Sequence, residues 1–405
     1  MHQFLWRAAT LLMVISCFSV QRVVGKFKTG ADRLCAAPGK YLKGKKIGIL
    51  CHKASIVARD NHHEHLVEVL HRLADRKEQS FEIVALFAPE HGFDGSKEAF
   101  ADVAHSKHPK IGCPIYSLHF GKIRKPQPAM FKGVDLVLVD LQGVGVRCYT
   151  YISTMVNMLE AAAAAKVSIL VLDRPNPIKG WGPSGAEFDP AYSSFLAKIN
   201  IPFVHDMTMG EIAKMAAKNI GCTLSVISTK GSQAEALRYL RHHYVPPSPN
   251  LSSLRSQFCY PMVVPFEGTN YSEGRGTDMP FEQFGAPWVD GAMLADRLNE
   301  QKIPGVIFEA TSFTPESSER ALKPKHQGKL CGGVVLKITD RSVIKPLDVA
   351  RSIMATLFAL YPLQSRWLTT KRVNFIIDQL IAGPTWRLSV EAKNKKSVVP
   401  NKKAV

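Results

Sequence analysis

The stretch VDLVLVDLQGVGVRCYTYISTMVNMLEAAAAAKVSILVLDRPNP, residues 134–177, decides the fold. Val134–Val139 and Val167–Leu172 are short runs rich in Val, Leu and Ile, each followed by an aspartate, and Tyr149–Lys166 between them reads as a helix. Two apolar runs of strand length joined by a helix make a parallel β-α-β unit, because parallel neighbours need a long crossover that a helix supplies. The same alternation extends in both directions. Lys46–Cys51 (KIGILC) and Phe81–Phe87 read as strands, and His62–Arg76 repeats Leu66, Val69, Leu70 and Leu73 at helical spacing. Thr208–Asn219 reads as another helix, with Thr208 and Glu211 at the capping-box separation. These units predict an α/β protein whose residues 26–245 form a doubly wound parallel sheet.

Val245-Pro246-Pro247-Ser248-Pro249-Asn250 then interrupts the pattern, since three prolines in four positions forbid regular structure and mark a domain connection. Residues 246–390 read as a smaller α/β domain. It holds a loop rich in glycine and polar residues (Phe266–Pro287), helices at Asp290–Gln301 and Pro346–Leu360, and strands near Val306–Phe308 and Gly333–Ile338. Residues 391–405 carry five lysines against Glu391 without periodicity and read as a disordered basic tail.

The whole chain has 405 residues, room for two to three domains at roughly 150 residues each. With 46% hydrophobic and 21% charged residues it is neither disordered nor collagenous. Lys and Arg number 52 against 34 Asp and Glu, a net charge of +18 that suits an anionic partner. Much of the excess sits at the ends: residues 22–46 carry eight basic side chains against Asp32. No interleaving of aromatic and basic residues marks a nucleic-acid module, so nucleic acid is not an expected partner.

Residues 1–25 read as an export signal, with Arg7 as the charged region, Ala8–Val20 as an apolar stretch too short to span a bilayer, and small residues after it. Val14-Ile15-Ser16-Cys17 resembles a bacterial lipobox. Two outcomes follow, plain cleavage near Gly25 or a lipidated Cys17 that associates the protein with a membrane. Either places the mature protein in the periplasm or outside the cell. Eight cysteines (17, 35, 51, 113, 148, 222, 259, 331) lack any C-x-x-C spacing, which leaves one or two disulfides or buried thiols such as Cys51 and Cys148.

In an open parallel sheet, ligands bind beyond the carboxyl ends of the strands. Three carboxylates fall there: Glu90 in Ala88-Pro89-Glu90-His91-Gly92, Asp140 in Asp140-Leu141-Gln142, and Asp173 in Asp173-Arg174-Pro175-Asn176-Pro177. Glu90 stands between a proline that restricts the backbone and a glycine that permits a tight turn. That places a carboxyl on a rigid element, as a general acid requires. His91 reads either as an orienter of Glu90 or as a surface histidine. A second cluster, Glu267 to Thr277 (EGTNYSEGRGT), alternates glycines with Glu, Asn, Arg and Thr. Such a loop approaches a polar ligand closely, with Arg275 forking onto a carboxylate and Glu273 available as a second acid.

Other chemistries lack their motifs. Gly143-Val144-Gly145 is a fragment of a dinucleotide fingerprint and no Walker loop exists, so no cofactor is expected. Ser184 in Gly182-Pro183-Ser184-Gly185 misses the serine-hydrolase register. His62, His63 and His65 could share a helical face, but without a Cys pair or an H-E-x-x-H frame no metal site is expected.

The strings FAPEHGFDG (87–95), DLQGVGVRCYTYI (140–152), VLDRPNPIKG (171–180), MTMGEIA (207–213), PPSPN (246–250), FEGTNYSEGRGTDMPFEQFGAPW (266–288) and CGGVVLKITDR (331–341) occur in this order and cover most of residues 46–380. Together they resemble the bacterial exo-acting β-N-acetylmuramidase family typified by NamZ, formerly a domain of unknown function. The resemblance implies a Rossmann-like amino-terminal domain, a smaller carboxy-terminal α/β domain and an active site in the cleft between them. The implied activity is that of a glycoside hydrolase releasing N-acetylmuramic acid (MurNAc) from the non-reducing end of peptidoglycan fragments. It implies Glu90 and Glu273 as catalytic, and His91, Asp140, Arg147, Tyr149, Asp173, Asn176, Asn250, Glu267, Asn270 and Arg275 as substrate-binding. A glycosidase needs one carboxylic acid to protonate the leaving oxygen and a second carboxylate or a surrogate at the anomeric centre. The lactyl carboxylate of MurNAc makes Arg275 or Arg147 a natural bidentate partner. The sequence departs from the family pattern at Gly143, where aspartate is usual, at Cys51-His52, where Thr-Asn is usual, and at Asp206, where glycine is usual. The competing expectation is a muropeptide-binding relative that kept the cleft and lost turnover.

Overall fold

The computed structural model describes residues 27–59, 62–76, 80–98, 101–185, 187–370 and 374–397; the expected export signal, Cys17 included, lies outside the described residues. In chain order the strands of the first half are β1 (Lys46–Cys51), β2 (Ile56–Arg59), β3 (His62–His65), β4 (Glu82–Ala88), β5 (Ser106–Lys107), β6 (Pro114–Ser117), β7 (Leu136–Asp140), β8 (Ser168–Leu172) and β9 (Leu224–Ile227). Seven of them form one sheet in the order β5-β6-β4-β1-β7-β8-β9, parallel except for β5 at the edge. The chain runs outward from β1 through β4 and β6, then returns to β7 on the other side of β1 and continues outward to β9. The sheet is therefore doubly wound, and its direction switches between β1 and β7, where Cys51 lies opposite Asp140.

Burial on both faces explains the continuous apolar runs. Alternate residues of β7 divide between two cores: Val137 and Val139 face the helices Tyr151–Ala164 and Met209–Ile220, while Leu136 and Leu138 face the helix Leu66–Ala74. Each fully buried Val or Leu contributes about 1.5–3 kcal/mol. Thr208 caps the Met209–Ile220 helix in a capping box with Glu211, and Gly221 closes it in a left-handed conformation.

In the second half, β10 (Gln283–Ala286), β11 (Val306–Phe313) and β12 (Cys331–Ile338) form an antiparallel sheet in the order β10-β12-β11. The helices Gly291–Asn299 and Pro346–Leu360 accompany it. The halves share one core. The cluster that holds Val137, Val139 and Tyr151 continues through Tyr260, Phe281 and Phe284 to Val334 and Ile353.

Several expectations are corrected. His62–His65 is a strand paired antiparallel with β2, not the start of a helix; the helix begins at Leu66, with the His65 ring accepting from Val67 N at 3.3 Å as its cap. Strands β2, β5, β6 and β9 are additional, and β10 lies inside the segment read as a loop. A helix, Thr385–Ser397, runs into the segment read as a disordered tail, and Arg387 on it pairs with Glu391 at 2.9 Å. The seven described cysteines are free thiols.

Candidate active site

Beyond β4, Pro89 leads into a tight turn in which His91 (φ 73°) and Gly92 (φ 82°) are both left-handed. Left-handed backbone at a non-glycine residue costs about 1–2 kcal/mol, and local bonds hold it here. The His91 Nδ1 lies 2.8 Å from the Lys97 carbonyl, Lys97 N donates to His91 O at 3.2 Å, and Gly92 N donates to Pro89 O at 3.1 Å. Burial holds the His91 imidazole below its ordinary pKa, against the pull of Glu90.

The Glu90 side chain is only 4% exposed. The Thr150 hydroxyl donates to its Oε2 at 2.6 Å, and His119 Nε2 lies 3.9 Å from its Oε1. Tyr151 donates to the Pro247 carbonyl at 2.8 Å and reaches the Glu90 carbonyl at 3.3 Å, which ties the Glu90 turn to the proline-rich connection. Both halves of the chain thus build one pocket. Glu90, His91, Tyr149 and Thr150 come from the first half; Ser248, Asn250, Tyr260, Glu267, Arg275 and Phe281 come from the connection and the second half. The space between these side chains, counted together with the open solvent at its mouth, is about 540 Å³. Among the described residues the buried Tyr149 hydroxyl has no partner at full hydrogen-bond geometry, with Ser248 and Tyr151 beside it.

The glycine-rich loop supplies a charged network behind this pocket. Arg275 reaches Glu267 Oε1 at 2.7 Å and Glu273 Oε1 at 3.1 Å, with its guanidinium 5.0 Å from the centre of the Phe281 ring. Lys325 Nζ holds Glu273 Oε2 at 3.0 Å and also donates to the carbonyls of Phe266 and Tyr271. Burial alone would raise the Glu273 carboxyl, but Lys325 and Arg275 outweigh it and hold the pKa at about 2. Gly274 is left-handed at φ 79°, and a Cβ there would sit 2.8 Å from the carbonyls of Met279 and Gln283, so the loop needs glycine.

The expected convergence of three strand-end carboxylates does not form, because two of them are consumed by the fold. Asp140 is fully buried and forks onto Arg174, with Arg174 Nε at 2.5 Å and Nη2 at 2.7 Å. Asp173 accepts from the Thr208 hydroxyl and from Gly210 N, both at 2.8 Å, and so holds the start of the Met209–Ile220 helix. Asn176 bonds Met207 O and Ile178 N within its own loop neighbourhood. Arg147 is 1% exposed, donates to the carbonyls of Ile201 and Ile381, and does not itself line the pocket. Asn270 joins Gln364 and Arg366 instead of a ligand space. Glu273 backs the pocket: with both oxygens in ion pairs and a pKa near 2, it has no proton to give at neutral pH. The Arg275 fork is likewise engaged by protein carboxylates. Glu273 lines an outer groove with Glu98, Arg320, Lys323 and Lys325, and this groove adjoins the pocket through the shared Asn250 and Arg275.

Sequence reading missed Thr150, His119 and Lys325. Thr150 precedes a helix like any polar starter, and His119 follows the short strand β6, whose only apolar signal is Ile115-Tyr116.

Residues 47–255 match the family described as exo-beta-N-acetylmuramidase NamZ, N-terminal, and residues 258–402 match its C-terminal counterpart. The peptidoglycan beta-N-acetylmuramidase NamZ of Bacillus subtilis (strain 168) is 40% identical over 376 residues, covering 92% of this chain and 86% of that protein. Crystal structures of two DUF1343 family proteins from Bacteroides fragilis NCTC 9343 are similar. One has a TM-score of 0.79 at 31% identity, covering 91% of this chain and 92% of the other. The second has a TM-score of 0.67 at 29% identity, covering 92% and 93%. From motifs, fold and pocket to these matches across both halves, the chain belongs to the exo-beta-N-acetylmuramidase NamZ family.

Proposed function

We propose that this protein is an exo-acting glycoside hydrolase that releases N-acetylmuramic acid from the non-reducing end of peptidoglycan fragments. The observation that carries the reading is the pairing of Glu90 with Glu267 as the acidic side chains, among the described residues, that line one pocket between the two halves. Glu90 is buried and its Oε2 accepts from the Thr150 hydroxyl, the setting for a general acid that protonates the glycosidic oxygen as the bond to the anomeric carbon breaks. Glu267, fixed by Arg275 at 2.7 Å, is the carboxylate available to stabilise positive charge at that carbon. Water then adds to the anomeric carbon, and its released proton restores the acid. Tyr149, Asn250 and His91 line the same space and are the polar groups offered to the sugar. The activity named for the Bacillus subtilis relative supports the substrate class.

Export belongs to the same proposal. Peptidoglycan lies outside the cytoplasmic membrane, and Arg7 followed by the apolar Ala8–Val20 stretch supports a cleaved signal or a lipid anchor at Cys17. The strand order outward from β1 in both directions also supports a Rossmann-like description of the first half.

Incubation with two isomeric disaccharides tests the activity. MurNAc-GlcNAc should yield free MurNAc and GlcNAc, whereas GlcNAc-MurNAc should remain intact. Cleavage of neither, with binding of the first, would instead select the binding relative that lost turnover.

A further inference from the structure

A second groove lies between the two halves and shares no lining residue with the Glu90 pocket or the outer groove that adjoins it. It holds about 1500 Å³ of open space. Its floor is apolar and half-buried, built from Trp181, Phe258 and Ile338, with the Trp181 and Phe258 rings 6.3 Å apart and tilted by 34°. Lys179, Arg241, Arg255, Lys337 and Arg341 surround it against a single lining carboxylate, Asp340.

Pairing separates these cations. Lys179 is bound by Glu211 at 3.0 Å, Arg255 by Glu282 at 3.0 Å and Lys337 by Glu309 at 3.1 Å. Among the described residues Arg241 and Arg341 have no carboxylate partner; Arg341 rests 5.0 Å over the Phe258 ring, which orients its planar fork. Asp340 forms no ion pair with them among the described residues; its Oδ1 accepts from Ser342 N at 2.9 Å and from Ser342 Oγ at 2.7 Å. The groove thus offers an aromatic platform and two uncommitted guanidinium groups. An aromatic face suits the apolar face of a pyranose, and a guanidinium fork suits a carboxylate. A neutral glycan would leave the cations unused, and a polyphosphate would leave the Trp181 face unused.

We propose that this groove binds a peptidoglycan glycan strand through the free carboxylates of the stem peptides attached to its muramyl residues, and holds the protein on the polymer while the separate pocket works on a chain end. The inference rests on the substrate class proposed above. The one carboxylate lining the groove is the exposed Asp340, with no second acid among the described residues lining the groove beside it, so the role assigned to the groove is retention.

The test is co-sedimentation of the full-length protein with purified peptidoglycan sacculi, alongside hydrolysis of MurNAc-GlcNAc as a control. Arg241→Glu/Arg341→Glu should lose about ten-fold in retention on sacculi, the scale of one or two charge-assisted contacts, while cleaving the disaccharide within about two-fold of wild type, since it touches no pocket residue. Trp181→Ala should weaken retention on sacculi as well. Insoluble chitin, a neutral glycan, should show no difference between wild type and the double arginine variant. Equal retention of wild type and variant on sacculi, or an equal loss on chitin, overturns the proposal. A wild type that fails to cleave the disaccharide refutes the hydrolase reading, and the retention difference still decides the groove.

Discussion

The Thr150 hydroxyl donates to Glu90 Oε2 at 2.6 Å, joining the turn after β4 to the residue that precedes the Tyr151–Ala164 helix. The bond fixes Oε2 of the carboxyl, and His119 Nε2 lies 3.9 Å from Oε1. Orientation of the acid therefore depends on a side chain 60 residues distant in sequence.

Replacing Thr150 with Val keeps its shape and removes the donor. A hydrogen bond to a neutral group contributes about 0.5–1.5 kcal/mol, so kcat on MurNAc-GlcNAc should fall by about two- to ten-fold, with Thr150→Ser recovering most of it. Steady-state kinetics of both variants check this; an unchanged kcat in Thr150→Val contradicts the positioning role.

Asp140→Asn should act on stability instead of chemistry. It leaves Arg174 buried without its counter-charge, and breaking such a pair costs roughly 3–5 kcal/mol. Denaturant unfolding should show that loss, while KM on the disaccharide stays the same for the fraction that is folded. A stable variant with a raised KM would return Asp140 to the substrate site.

The Glu273 ion pairs predict a pH dependence of stability. Its folded pKa of about 2 lies below the ordinary glutamate value of about 4.3. The stabilisation is therefore complete above the unfolded pKa and is lost as pH falls toward about 2. Glu273→Gln should be less stable than wild type by roughly 3 kcal/mol at neutral pH, and the gap should close between about pH 4.3 and pH 2. Unfolding free energies measured across that range would show it, and a gap that widens in acid contradicts the assignment.

What could be read from the chain was local. The strands β1, β7 and β8 announce themselves because both faces are buried, and Glu90 because Pro89 and Gly92 shape its own turn. Asp140 and Asp173 carry the same strand-end signature, yet their fates depend on Arg174 and on the Met209–Ile220 helix, partners that only the folded sheet supplies. The short β6 has too few apolar residues to stand out, and with it His119 stayed hidden. Departures from the family pattern also became intelligible only in three dimensions. Gly143 faces Met209, whose Cγ and Sδ would lie 3.2 Å from any Cβ placed there. His52 is buried at the β1/β7 switch, where its Nε2 accepts from Gln142 N at 3.1 Å. Asp206 adopts a left-handed backbone at φ 49° and accepts from Gly180 N at 2.6 Å.

The central claim, that Glu90 is the acid of a MurNAc-releasing hydrolase, is tested most directly by following free MurNAc by mass spectrometry when wild type and Glu90→Gln act on MurNAc-GlcNAc. Removing general-acid assistance costs about 10²-fold or more, so wild type should release MurNAc at least that much faster, with both proteins showing the same thermal unfolding. Equal rates of release from the two proteins would contradict the account.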